Sequence, residues 1–158
     1  MKKLVAYFSA SGVTAGIAKT LAEAAGAELY EIKPELPYKK ADLNWMNPLS
    51  RSTREMKNKS SRPAIADKTA NIADYDVVFV GFPIWWYIAP TIVNTFLESY
   101  DWNGKTIILF ATSGGSGFGK TICNLEGSCP GAVLKEGKVL NPSASREELA
   151  AWIDTLNL

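Results

Sequence analysis

Leu4-Val5-Ala6-Tyr7-Phe8-Ser9-Ala10-Ser11-Gly12-Val13-Thr14 opens with an apolar run, continues through a short polar loop and reaches a glycine. Ile17, Ala18, Leu21, Ala22 and Ala25 then recur at helical spacing on one face, and Gly26 stops the pattern. A strand, a tight loop and a helix in that order form the first unit of a parallel sheet, because parallel strands need a crossover between them.

The same alternation extends along the chain. Ala27 to Lys33 alternates more and carries charge, so it reads as an edge strand ending at Pro34. Asp76 leads into Val77 to Phe82, whose near-continuous apolar character suits a central strand covered on both faces. Thr106 to Ala111 is a further strand. Val133 to Leu140 is a weaker one, with two apolar pieces split by Lys135 to Lys138. Pro90 suits the first position of a helix whose buried stripe is Ile92, Val93, Phe96, Leu97 and Tyr100. A short helix follows through Thr121 to Leu125. Ser145 and Glu148 have capping-box spacing ahead of Leu149, Trp152, Ile153 and Leu156.

Between Pro34 and about Asp67 the periodicity weakens, which predicts a long, partly helical surface excursion. Lys39 to Lys68 holds eight basic and three acidic residues, so this stretch is either a solvated face or a docking surface for an acidic partner. No internal repeat or second core interrupts the pattern. The expectation is a single α/β domain over residues 1–158, a doubly wound parallel sheet of five strands.

Composition narrows the chemistry. A chain of 158 residues is the size of one domain, and 47% hydrophobic with 21% charged residues argues against disorder. Seventeen basic against sixteen acidic residues leave no strong long-range attraction to nucleic acid or an anionic membrane. The absence of His removes Ser-His-Asp hydrolysis and His-dependent metal catalysis. No signal peptide or run of about 18 apolar residues is visible, so the expected location is cytoplasmic, without membrane insertion. Cys123 and Cys129 read as ordinary thiols, since their spacing matches no redox or metal motif.

Ligands of doubly wound sheets bind at the carboxyl ends of the strands, where strand order reverses; for the order 2-1-3-4-5 that place lies between the first and third strands. Three unusual loops would meet there. Ser9-Ala10-Ser11-Gly12-Val13-Thr14 combines hydroxyls and a glycine at a helix start, which suits either a phosphate or a purely structural cap. Pro83-Ile84-Trp85-Trp86-Tyr87 sets three aromatic rings in a row. Neighbouring side chains of an extended loop diverge, so one or two rings pack inward while another stays available, either for an interface or for stacking on a flat heteroaromatic ligand. Thr112-Ser113-Gly114-Gly115-Ser116-Gly117-Phe118-Gly119 would let backbone approach a ligand closely, or merely turn the chain.

Gly114 to Thr121 also satisfies the P-loop pattern of a glycine, four residues and then Gly119-Lys120-Thr121. A nucleotidase would need a second carboxylate for magnesium, usually an Asp ending an apolar strand. None of the runs ends in one, and Asp76 begins its strand, which makes nucleotide binding a minor alternative.

At these loops the chain resembles the flavodoxin family, whose members bind FMN noncovalently on a five-stranded doubly wound sheet of order 2-1-3-4-5 with helices on both faces. The resemblance rests on Tyr7-Phe8-Ser9-Ala10-Ser11-Gly12-Val13-Thr14, Gly81-Phe82-Pro83-Ile84-Trp85-Trp86 and Phe110-Ala111-Thr112-Ser113-Gly114-Gly115. It is most similar to bacterial flavodoxin-like proteins with a Pro-Ile-Trp-Trp loop. The resemblance implies that Ser9, Ser11, Gly12, Val13, Thr14 and Ala15 hold the phosphate. It implies that Pro83, Ile84, Trp85, Trp86 and Tyr87 flank the isoalloxazine on one side and Thr112, Ser113, Gly114 and Gly115 on the other.

Two departures bear on mechanism. Flavodoxins usually carry a glycine beside the flavin N5, where a peptide flip stabilises the half-reduced ring, whereas Pro83 to Tyr87 has none. Many are acidic, whereas none of the three loops here contains Asp or Glu, which predicts a less negative potential for full reduction. Two functions therefore stay open: an electron carrier that docks to redox partner proteins, and a two-electron NAD(P)H-dependent oxidoreductase acting on a small acceptor such as a quinone. In both the flavin carries the chemistry, and no residue is needed as nucleophile or base.

Overall fold

The computed structural model describes residues 1–113 and 117–158. Its elements are β1 (Lys3–Tyr7), α1 (Val13–Ala25), β2 (Glu28–Glu31), α2 (Arg51–Lys57), β3 (Val77–Pro83), α3 (Thr91–Glu98), β4 (Thr106–Thr112), α4 (Thr121–Leu125), β5 (Val133–Val139) and α5 (Arg146–Asp154).

Alternation within the central strands sorts side chains onto two faces. On one face Leu4, Ala6, Val78, Val80, Phe82, Ile107, Leu109 and Ala111 share a core, and on the other Val5, Tyr7, Phe79, Ile108 and Phe110 share a second. A sheet that is apolar on both faces must be covered twice. Ile17 and Leu21 of α1 with Leu149 of α5 cover one side, and Ile92, Val93, Phe96 and Leu97 of α3 with Leu125 of α4 cover the other. The strands pair in parallel in the order β2-β1-β3-β4-β5, a flavodoxin-like α/β fold. The exposed strands β2 and β5 lie at the two edges, as their charged sequences require.

Three local expectations needed adjustment. Pro90 is not the first helical residue: its ψ of 145° is extended, and α3 begins at Thr91. β5 is one continuous strand in spite of Lys135 to Lys138, because the ladder to β4 supplies its main-chain bonds while its charged side chains face outward at the edge. Its register shifts once, where a side chain at Gly137 would meet the Leu109 carbonyl at 2.0 Å. β2 is confined to Glu28–Glu31, although the Ile32 amide still bonds to the Tyr7 carbonyl at 2.7 Å.

The basic excursion is closed at its base. The Glu35 amide bonds to the Ala64 carbonyl at 2.8 Å and the Ala66 amide to the Lys33 carbonyl at 2.7 Å, around an antiparallel bridge between Pro34 and Ile65. It lies on the α3 side: the Ser61 and Thr91 hydroxyls are 2.8 Å apart, and Arg62 pairs with Glu98 at 3.0 Å. Among the described residues no helix is long and apolar enough to cross a membrane.

Candidate functional site

The loops after β1, β3 and β4 are joined by direct contacts. After β1, the Gly12 amide donates to Ser9 Oγ at 3.1 Å, and Gly12 adopts a left-handed φ of 94°. A residue with a β-carbon would be strained at this turn. The first bond inside α1 runs from the Gly16 amide to the Gly12 carbonyl at 3.2 Å, so the amides of Val13, Thr14 and Ala15 have no intrahelical acceptor. The cap residue Gly12 has no side chain to offer them, and no acidic residue stands in the first turn. Ser11, Gly12 and Val13 are exposed, and Ser9 and Ala15 are half-buried. This is a helix start polarised for an anion, with the positive end of its dipole open.

Thr14 departs from that pattern. Its side chain is buried, and its hydroxyl lies 2.8 Å from the Thr112 hydroxyl, also buried at the end of β4. The two threonines tie the first loop to the third; Thr14 offers a ligand its amide, while its hydroxyl is committed inward.

The loop after β3 is fastened to the same place. Pro83 pairs with Thr112 in the ladder, and the Ile84 amide donates to the Thr112 carbonyl at 2.9 Å. The chain then reverses tightly. The Trp85 amide bonds to the Ile88 carbonyl at 3.0 Å and the Ile88 amide to the Trp85 carbonyl at 3.1 Å, with Trp86 and Tyr87 at φ of 49° and 67°. Two left-handed residues in succession are the geometry of a hairpin turn that usually carries Asn-Gly. The sequence by itself suggests an extended loop here. It has no glycine, Asn or Asp to signal the reversal.

The turn separates the rings as expected. Trp85 goes inward, with its ring centre 5.9 Å from Phe8 and 5.5 Å from Tyr38, both edge-on or tilted. Trp86 and Tyr87 face outward, at 43% and 66% exposure. Tyr38, which sequence reasoning left within the surface excursion, is therefore part of the support. Its phenol donates to Glu55, and the Arg51 guanidinium lies 3.8 Å from its ring centre while pairing with Glu55 at 3.0 Å. Burial, reinforced by the Glu55 hydrogen bond, pushes the Tyr38 hydroxyl above its usual range, so it remains a neutral donor.

After β4, Ser113 is half-buried at the strand end, whereas Gly114 and Gly115 lie outside the described residues. The far side of this loop packs on the aromatic turn: Gly119 has a φ of 54°, and a β-carbon there would stand 2.3 Å from the Tyr87 carbonyl oxygen. Thr121, which would hold the metal in a P-loop, is fully buried and donates its hydroxyl to the Phe118 carbonyl at 2.5 Å. Among the described residues no group of three or more Cys, Asp or Glu side chains could hold a metal ion.

Outside the turn lies a hollow of about 560 Å³, lined by Thr53, Met56, Lys57, Lys59, Trp86, Tyr87, Ile88, Gly119 and Lys120. The sequence reading did not connect Thr53 or Met56 to the loops. Their signal was faint: buried residues on one face of a seven-residue helix inside a polar, basic stretch.

Comparison with known proteins agrees with the fold. The sequence profile described as Flavodoxin matches residues 2–156. A candidate flavoprotein from Bacteroides eggerthii is similar at 47% identity and a TM-score of 0.92, covering 99% of this chain and 98% of that one. Another from Bacteroides uniformis is similar at 49% identity and a TM-score of 0.91, covering 97% of each chain. The flavoprotein from Lactobacillus acidophilus, crystallised in complex with FMN, is 21% identical with a TM-score of 0.69, covering 96% of this chain and 98% of that one, a likeness of fold. No curated protein matches the sequence.

Proposed function

The chain belongs to the flavodoxin family, and from that premise we propose that it binds FMN noncovalently across the three loops and serves as an electron carrier between redox partner proteins. The observation that carries this reading is the hydrogen-bonded convergence on Thr112: one residue ties the open start of α1, through Thr14, to the aromatic loop, through Ile84.

The residues present fit the cofactor. The amides of Val13, Thr14 and Ala15 and the hydroxyls of Ser9 and Ser11 would receive the phosphate, without a lysine and with no acidic residue in the first turn to oppose it. Pro83, Ile84 and the aromatic turn would flank the ring system on one side and Thr112 and Ser113 on the other. When bound, FMN supplies the reversible uptake and release of electrons. The chain's part is to orient the ring between fixed walls, keep the Phe8–Trp85–Tyr38 side dry, and set the local field. With no Asp or Glu in these loops, the local field opposes added negative charge on the ring less than an acidic site would.

One observation favours a second reading, a two-electron NAD(P)H-dependent oxidoreductase with a quinone-like acceptor. The Trp85–Ile88 turn is closed by two reciprocal hydrogen bonds and backed by Gly119, and it contains no glycine whose peptide could rotate during reduction.

Titration of the FMN-free protein with FMN should quench flavin fluorescence with micromolar affinity, and failure to bind would overturn the central reading. Anaerobic reductive titration of the loaded protein then separates the two functions. Two resolved one-electron steps support the carrier, and a single two-electron step together with FMN-dependent NADPH oxidation by a quinone supports the oxidoreductase.

A further inference from the structure

The hollow outside the aromatic turn has a composition of its own. Its floor is Met56 and Ile88, both buried, with the buried Thr53 beside them, and the rings of Trp86 and Tyr87 form a wall. Lys57 and Lys59 stand on the α2 side and Lys120 on the α4 side, all three exposed. Among the described residues no Asp or Glu lines the space. Among the described residues the ion pairs join Arg51 to Glu55 and Arg62 to Glu98, so none of the three lysines is neutralised in this way. About 560 Å³ is the size of an ordinary small-molecule pocket.

We infer that this hollow is a second binding site, one that takes a flat organic anion. The aromatic wall and apolar floor would receive a ring system, and ammonium groups on both rims would hold a carboxylate, sulfonate or phosphate attached to it. A neutral apolar ligand would leave the lysines without purpose, and a simple inorganic anion would leave the rings bare. The backbone supports the same assignment. Trp86 and Tyr87 are held in left-handed conformations that non-glycine residues adopt at a cost, and the result is two large rings turned to the surface rather than into the core. Among the described residues, Ser9 to Ala15, Pro83, Ile84, Thr112 and Ser113 do not line the hollow, so it shares with the proposed flavin site only the turn of Trp86 and Tyr87, and the inference does not depend on FMN binding.

Isothermal titration of the full chain, both FMN-free and after addition of FMN, with naphthalene-2-sulfonate, the neutral naphthalene-2-methanol and sodium sulfate tests this. The sulfonate is expected to bind in both preparations, about tenfold more tightly than the alcohol, with sulfate weaker than either. Lys57→Gln, Lys59→Gln and Lys120→Gln combined should erase the tenfold gap, and Trp86→Leu should weaken both naphthalenes. The lysines are exposed, so the triple variant should keep the far-ultraviolet circular dichroism of the parent. Equal affinity for sulfonate and alcohol, a gap that survives the triple variant, displacement of the sulfonate by one equivalent of FMN, or no saturable binding up to millimolar ligand would each overturn the inference. Loss of FMN binding with the sulfonate site intact would instead count against the flavin reading alone.

Discussion

The hydroxyls of Thr14 and Thr112 meet at 2.8 Å in a buried position, 98 residues apart in the chain, and they join the first turn of α1 to the last residue of β4. Each satisfies a polar group that the other would otherwise leave stranded. Thr14→Val is therefore expected to cost about 1–3 kcal/mol of stability, the penalty for a buried hydroxyl without a partner. Thr112→Val should cost a similar amount, whereas the double variant should recover much of the loss, since valine conserves the shape. Urea denaturation of the four proteins measures the coupling, and strictly additive losses would show that the pair does not act as a unit.

The turn at Trp86 and Tyr87 leads to the opposite expectation for stability. Both residues sit where Asn and Gly are at ease. Replacing them with Asn-Gly should raise stability by about 1 kcal/mol, because relief of two left-handed residues exceeds the packing lost from half-exposed rings. The same variant should lose affinity for ring-bearing ligands at the hollow. A lower thermal midpoint than the parent would mean that the rings contribute more packing than their exposure suggests.

Acid sensitivity should be traceable to Glu98. Its hydrogen bond from the Arg62 guanidinium, assisted by one from Ser128, holds its carboxyl below the usual carboxylate range. A group with a depressed folded-state pKa contributes stability that is complete above its unfolded value and is lost as pH falls through the folded one. The stability difference between the parent and Glu98→Gln should accordingly be flat at neutral pH and shrink below about pH 4. A difference that stays constant down to strongly acidic pH would assign the effect to packing.

The cysteines should separate cleanly. Cys129 is buried, its Sγ lies 3.4 Å from the Leu125 carbonyl, and burial pushes its thiol pKa up, whereas Cys123 is exposed. A thiol reagent at neutral pH should modify one group in the native protein and two in denaturant, and peptide mass mapping should find the native label on Cys123. Two native equivalents would show that the α4 region opens readily.

These expectations also mark what the sequence made legible. The sheet was readable because the apolar runs of its central strands and the capped, 3.6-period helices α1 and α5 carry strong local signals, such as Gly26 after α1 and Ser145 before α5, whose hydroxyl accepts the Glu148 amide at 3.1 Å. The meeting of the three loops followed from strand order. The reversal at Trp86 and Tyr87 was not legible, because it uses left-handed residues without the residue types that announce them and is held by distant contacts to Phe8, Tyr38 and Gly119. Tyr38, Thr53 and Met56 were missed for a related reason: their partners come from another loop, and neither periodicity nor charge identifies such a contact.

The closure of the basic excursion at Pro34 and Ile65 has an architectural consequence. A loop whose two ends are already clasped carries its length as a private matter: doubling such a segment adds only about 0.6 kcal/mol of closure entropy. The exposed stretches between Glu35 and Ala64 are free to be lengthened, shortened or recharged with little effect on the sheet, provided that Tyr38 keeps its place against Trp85, Ser61 and Arg62 keep theirs against Thr91 and Glu98, and Thr53 and Met56 keep theirs at the hollow. The protein thus separates two kinds of change: a platform at the strand ends fixed by the sheet, and an outer wall whose sequence can vary within its own clasp.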